Sequence, residues 1–171
     1  MNVGLFKSVI ETLRPGPRII PVDVKFITQA AAFAANDVLA VNAELSGACL
    51  RGKPSVLIAY TLRDSGDATA AAIDVYLHSQ IITLGALNAA ITVTDLDAAF
   101  KLWKISHAST AWQDLINSKQ IDMTWLSGGP WPVRATGEKT ESIYASLVSV
   151  DGTTPGTIYD YTATFWFLQG Q

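Results

Sequence analysis

Apolar and polar positions alternate with period two over much of this chain. From Arg18 to Thr28, Ile20, Val22, Val24 and Phe26 share one face, and Pro21, Asp23 and Lys25 share the other. Val56, Ile58, Tyr60 and Leu62 oppose Leu57, Ala59, Thr61 and Arg63, while Ile73, Val75 and Leu77 oppose Asp74, Tyr76 and His78. Near the end, Tyr159, Tyr161, Ala163, Phe165 and Phe167 alternate with Asp160, Thr162, Thr164 and Trp166. Successive side chains of a strand point to opposite faces, so each run predicts a strand with one buried and one wetter face. Ile143 to Val150 is apolar on both faces and predicts a central strand.

Turn chemistry separates these runs. Asp64-Ser65-Gly66-Asp67 follows one strand and Asp151-Gly152-Thr153-Thr154-Pro155-Gly156 follows another. The second joins two strong strands and predicts a hairpin connection longer than two residues. Gly128-Gly129-Pro130-Trp131-Pro132 predicts a loop, because a central strand cannot hold two prolines. Helix is confined to a short piece near 95–102, where Thr94 caps an acidic first turn of Asp95 and Asp97 ahead of Ala98, Ala99, Phe100 and Leu102. Trp103 to Ser106 is strand-like again, and Ser8 to Leu13 fits helix or strand. Many short strands with turns between them predict an all-β fold, an antiparallel β-sandwich or jelly roll, as a single domain over residues 18–171. Residues 1–17 stand apart as an arm. Val3, Leu5, Phe6, Val9, Ile10 and Leu13 are apolar, and Pro15-Gly16-Pro17 separates them from the first strand. Such a segment either docks on a neighbouring subunit or forms an edge strand of its own sheet.

Composition narrows the function classes. With 171 residues the chain can bury one core of ordinary size. Only 16% of residues are charged, against about 25% in an average soluble domain, and 49% are apolar. A surface poor in charge costs little to desolvate and suits a protein that works in an assembly, although a monomer with a neutral skin fits nearly as well. The net charge of −3, with no run of Lys or Arg, argues against a nucleic-acid partner. No apolar stretch has the roughly 20 residues of a membrane span, and Met1 to Arg18, with Glu11 inside it, lacks the order of a signal peptide. Cys49 is the only cysteine, so neither an intrachain disulfide nor a thiolate metal site is expected, and it reads as a small buried hydrophobe made in a reducing cytosol.

Candidate chemistry is sparse. His78 lies four residues from Asp74 on one strand face, where the two can hydrogen-bond, and a solvent-facing pair is the simplest reading. Acid–base catalysis would also need a pocket and an orienting group. His107 sits in a Ser/Thr-rich stretch with no recognisable partner. Asp64 and Asp67 serve as turn formers, Asp95 and Asp97 as helix-start residues. No nucleophile elbow, zinc-binding, phosphate-binding or dithiol motif is present. The expectation is a protein without catalysis, cofactor or metal. Tryptophans 103, 112, 125, 131 and 166 crowd the C-terminal part of the chain. Core packing is the default for Trp103 and Trp125. Trp131, between two prolines, is the best candidate for an exposed anchor, and Trp166 is out of phase with Phe165 and Phe167. Phe6, Trp131 and Trp166 are therefore the candidate interface residues.

Several stretches, in order, resemble a family of phage virion proteins known as head decoration, cement or auxiliary capsid proteins. They are Phe33-Ala34-Ala35-Asn36-Asp37-Val38, then the strand–acidic turn–strand from Val56 to Ser65 and Ala71 to Leu77. After them come Asn88 to Asp97 and a closing pair of strands, Ser142 to Val150 and Thr157 to Leu168. Each piece is weak alone; order and spacing carry the likeness, which spans roughly residues 30–168. The resemblance implies a β-sandwich added to the outside of a capsid shell, made in the host cytoplasm. It also implies the major capsid protein as partner, a homo-oligomer (a trimer being one form) and no catalytic residues. The chain departs from the family in the length of Trp112 to Glu141 and in its apolar arm. Rival readings are a tail, neck or fibre-base virion protein and a carbohydrate-binding β-sandwich that uses exposed tryptophans.

Overall fold

The structure is a computed structural model and describes residues 17–66, 71–124, 129–137, 140–154 and 161–170. Its strands are β1 (Arg18–Lys25), β2 (Val38–Leu45), β3 (Ser55–Asp64), β4 (Ile73–His78), β5 (Lys101–His107), β6 (Gln113–Asp114), β7 (Lys119–Thr124), β8 (Trp131–Val133), β9 (Ile143–Ser149) and β10 (Tyr161–Gln169). One short helix, α1 (Asp95–Ala98), begins at Thr94, whose Oγ1 accepts from the Asp97 N–H at 3.1 Å. The predicted all-β class is the observed one.

Two antiparallel sheets face each other. Sheet I runs β1-β10-β3-β7-β6, with β8 also on β3, and sheet II runs β2-β9-β4-β5. First and last strands pair, β1 with β10 and β2 with β9. The chain passes back and forth between the sheets, which is the winding of a jelly roll. Apolar side chains of the two inner faces meet in one core. Leu57, Tyr60, Leu62, Phe165 and Phe167 of sheet I pack with Leu39, Ile73, Val75, Leu77 and Leu147 of sheet II. Tyr60, Phe165 and Phe167 form a stacked ladder with centroids 5.2 and 6.4 Å apart. Each such fully buried side chain contributes roughly 1.5–3 kcal/mol.

Three expectations are corrected here. First, the segments around Asp151 are not a hairpin. β9 lies between β2 and β4, whereas β10 lies between β1 and β3, so the connection carries the chain from sheet II to sheet I. Alternation reveals which face of a strand is buried, not which strand lies beside it. The described start of this crossover is pinned to Phe33: the two backbones exchange hydrogen bonds at Thr153. Gly152 adopts φ +87 there, and a Cβ would stand 3.0 Å from the Phe33 carbonyl oxygen.

Second, Trp131-Pro132-Val133 is a strand and not part of a loop. It pairs with Leu57, Val56 and Ser55 beyond the end of β7, so β3 has two short neighbours along one edge. A proline is tolerated because β8 pairs on one side alone.

Third, β4 is buried on both faces. The 79–100 segment crosses the outer face of sheet II and covers it with Ile82, Leu84, Leu87, Ile91 and Phe100, packed on Val38, Tyr76 and Val148. Asn42, in the left-handed region at φ 48, clamps this cover. Its Nδ2 donates to the Ile82 carbonyl at 2.7 Å, and its Oδ1 accepts from the Ile82 N–H at 3.2 Å.

Candidate interaction surface

The outer face of sheet I is left uncovered by the described residues, and its register sorts it into four rows across the strands. The first row is Ile19–Leu168–Val56–Pro132 and the second is Pro21–Trp166–Ala59–Thr124. The third is Asp23–Thr164–Thr61–Asp122 and the fourth Lys25–Thr162–Arg63–Gln120. Every one of these side chains is exposed or half-buried. Two rows are therefore apolar but for Thr124, and two are polar.

The polar rows satisfy much of their own hydrogen bonding. Thr164 donates to Asp23 at 2.6 Å, Gln120 to Asp122 at 2.8 Å, and Arg63 to Ser118 at 3.1 and 3.3 Å. Small threonines on β10 and β3 lie between longer side chains on either side, which leaves a shallow groove of about 480 Å³. The apolar rows have no such internal compensation. Ile19 is 58% exposed, and Trp166 stands half-buried between Pro21 and Ala59.

β1 is the edge of sheet I. The Phe26 N–H donates to the Tyr161 carbonyl, so even-numbered residues turn their backbone toward β10 and odd-numbered ones toward the edge, which no described strand covers. At that edge Pro21 offers no donor, and Asp23 and Lys25 flank it with charge. These are features that blunt a sheet edge against strand addition. Contact through the face is favoured over contact through the edge.

Of the three residues expected to form an interface, the structure places one on this surface. Trp166 is there, and its out-of-phase position in the alternation is the signal that marked it. Trp131 is instead a core residue, 6% exposed, because β8 turns Trp131 and Val133 inward and leaves Pro132 outside. Phe6, with the rest of residues 1–16, lies outside the described residues, as do Trp125 and Asp67. Trp103 and Trp112 pack against the core and donate their indole N–H to the carbonyls of Pro132 and Ala71, each at 2.7 Å. The residues missed from sequence are the neighbours of Trp166, namely Ile19, Pro21, Val56 and Leu168. Strand register assembles them, and it is not written in any one segment.

Among the described residues the titratable groups form no catalytic constellation. His78 and Asp74 are buried, not solvent-facing, and do not bond each other. Asp74 takes the Lys104 ammonium at 2.7 Å, and His78 Nε2 pairs with Ser146 Oγ at 3.0 Å. Ser146 Oγ also accepts from the Asn42 N–H at 2.9 Å, so a polar chain links the Ile82 clamp to His78. Burial, aided by the nearby Lys101 charge, holds the His78 imidazole down to about 4. His107 ends β5 and, contrary to expectation, has a partner in the Tyr60 hydroxyl. Burial lowers its basicity, with Asp74 opposing, and burial raises the pKa of Tyr60 and of the Cys49 thiol. Asp64 accepts from the Gly66 N–H and Asp97 from the Thr94 hydroxyl, the structural roles expected of them. Among the described residues no group of three or more His, Cys, Asp or Glu is placed to hold a metal, and no helix is long and apolar enough to cross a membrane.

No protein-family model and no curated protein matches this chain. Among solved structures, PRD1 vertex protein P5 aligns with 92% of this chain and all of its own at 8% identity, with a TM-score of 0.39. A marine algae virus of the order Picornavirales aligns with 91% of this chain and 69% of its own, also at 8% identity, with a TM-score of 0.23. Both superpositions are loose, and the function has to be read from this chain's own residues.

Proposed function

We propose that this chain is a virion structural protein, a capsid decoration protein that binds the outside of a major capsid shell and stabilises it by bridging neighbouring subunits. The observation that carries this reading is the pair of apolar rows around Trp166, on a wet sheet of a jelly roll whose described residues assemble no catalytic or metal site. Apolar surface of this kind gains about 25 cal/mol per Å² when a partner covers it. The low charge of the chain reduces the desolvation penalty of such contacts. The resemblance in segment order over residues 30–168 supports the capsid exterior as the location.

The test is quantitative mass spectrometry of purified particles, with heat and osmotic challenge of shells assembled with and without the protein. A decoration protein is present in many copies, in a fixed ratio to the major capsid protein, and its loss weakens the shell. A few copies per particle would move the protein to the tail, neck or fibre base. Absence from particles would overturn the virion reading.

The polar groove beside Trp166 favours one further reading, recognition of a neutral glycan. It mixes donors and acceptors from Asp23, Arg63, Gln120 and three threonines, with an indole face nearby. Glycan-array binding that disappears in Trp166→Ala supports this alternative; an array without signal removes it. The buried Trp131 cannot serve in that role.

A further inference from the structure

We propose that the apolar rows of sheet I are the docking site for residues 1–14 of a second copy of this chain. The inference rests on the reading above that a protein covers these rows, and it names the occupant.

Size argues for a short segment and against a globular face. Two rows about 7 Å apart, crossing four strands spaced about 4.8 Å, offer on the order of 250 Å². A stable interface between folded surfaces buries about 800 Å² on each partner. The rows are too small for that, but match the apolar side of a segment some ten residues long.

The chain carries one segment of the right chemistry. Residues 1–14 hold Val3, Leu5, Phe6, Val9, Ile10 and Leu13. This segment ends beside the patch, because Pro17 precedes Arg18 and Ile19, the first member of the first row.

Proline chemistry selects a second copy over the same one. Pro15 and Pro17 each hold φ near −65°, and each disfavours the helical region for the residue before it. Four consecutive residues, Arg14 to Pro17, are thereby biased to an extended path of about 3.1 Å per residue. A chain that must lie back on its own β1 and β10 needs a tight reversal at this point. The bias these prolines impose favours a path past the end of its own sheet and onto a neighbour. Repeated from copy to copy, this contact links the proteins side by side.

Light scattering on the full chain and two variants tests the idea. One variant lacks residues 1–14, and the other carries Trp166→Ser with Leu168→Ser. Trp166 and Leu168 lie on the outer face of sheet I, and circular dichroism with thermal melting verifies that each variant folds. The expected result is an oligomer for the full chain and a single chain for each variant. Mixing the two variants restores a complex of one chain of each, since one supplies the arm and the other the intact rows. A monomeric full chain, a variant that still oligomerises, or a mixture that stays monomeric overturns the proposal. Faster amide exchange over 164–168 in the arm deletion, with the full chain already monomeric, also overturns it and assigns the rows to the chain's own arm. Binding to capsid shells is measured in parallel. Shell binding by a full chain that never self-associates sinks this inference and leaves the protein-binding reading standing, whereas oligomers that bind no shell do the reverse.

Discussion

Tyr60 of β3 and His107 of β5 meet between the two sheets, the hydroxyl hydrogen-bonded to imidazole Nε2 and the rings edge-on with centroids 5.6 Å apart. Both are buried, and burial keeps the imidazole neutral, so the hydroxyl donates to it. Tyr60→Phe preserves the aromatic ladder but leaves a buried nitrogen unpaired, which costs about 1–3 kcal/mol. Urea unfolding measures the loss. A double variant with His107→Phe recovers part of it if the hydrogen bond is the cause.

His78 makes the fold sensitive to acid. Its imidazole is 0% exposed and held at about 4, against 6.5 for a free side chain. A group whose folded value is depressed binds its proton more readily in the unfolded chain. Stability is therefore complete above pH 6.5 and declines as pH falls toward 4, by no more than about 3 kcal/mol from this residue. Lys101, whose ammonium lies over the neighbouring Tyr76 ring, adds to the penalty of charging His78. Denaturant midpoints at several pH values check the slope, which flattens in His78→Gln.

The Asn42 clamp is joined to this histidine through Ser146. Asn42→Ala removes both side-chain hydrogen bonds to Ile82 and destabilises the cover by about 1–3 kcal/mol. Amide exchange over residues 80–92 speeds up as a result. The His78 titration, followed by NMR, moves upward toward 6.5 as water reaches the ring. An unchanged titration would show that the cover does not depend on this clamp.

The two tryptophans once expected to act alike separate cleanly. Trp131→Ala empties a core position and costs about 3–5 kcal/mol. Trp166→Ser, on the wet face, costs about 1 kcal/mol or less and acts on association instead. Thermal melting and light scattering on the same two variants check the contrast.

Ile116 offers the reverse effect. It forms the apex of the β6–β7 hairpin at φ 71 and is 90% exposed, and the Asn117 N–H donates back to the Leu115 carbonyl at 2.8 Å. A β-branched residue at positive φ is strained by roughly 1–2 kcal/mol and here gains no packing in return. Ile116→Gly raises stability by about 1 kcal/mol, a shift of about 2–4 °C in Tm.

By itself the sequence determined where the longer strands lie and, for β1 and β10, which face is buried. β1 and β10 follow the alternation because the pleat puts every second side chain on one face, β9 is the central strand its two apolar faces predict, and the Thr94 cap announces α1. The wetter side of β10, with Trp166 on it, was legible for the same reason. β2 was not, because bulges and the turn of Asn42 break its period, and β6 and β7 are too short or too polar to stand out. In β3 the expected phase fails at one end, where a bulge against Trp166 and Phe167 turns Leu57 inward with Tyr60 and Leu62 and leaves Val56 and Ile58 outside. Only the tertiary structure decided which strands are neighbours, since pairing depends on chain positions far apart. That pairing made the Asp151 connection a crossover, drew Trp131 into the core and buried both faces of β4 under the 79–100 segment. It also lined up Ile19, Pro21, Val56 and Leu168 around Trp166. Each of those four is an ordinary apolar residue in its own segment, and only cross-strand register makes them a surface.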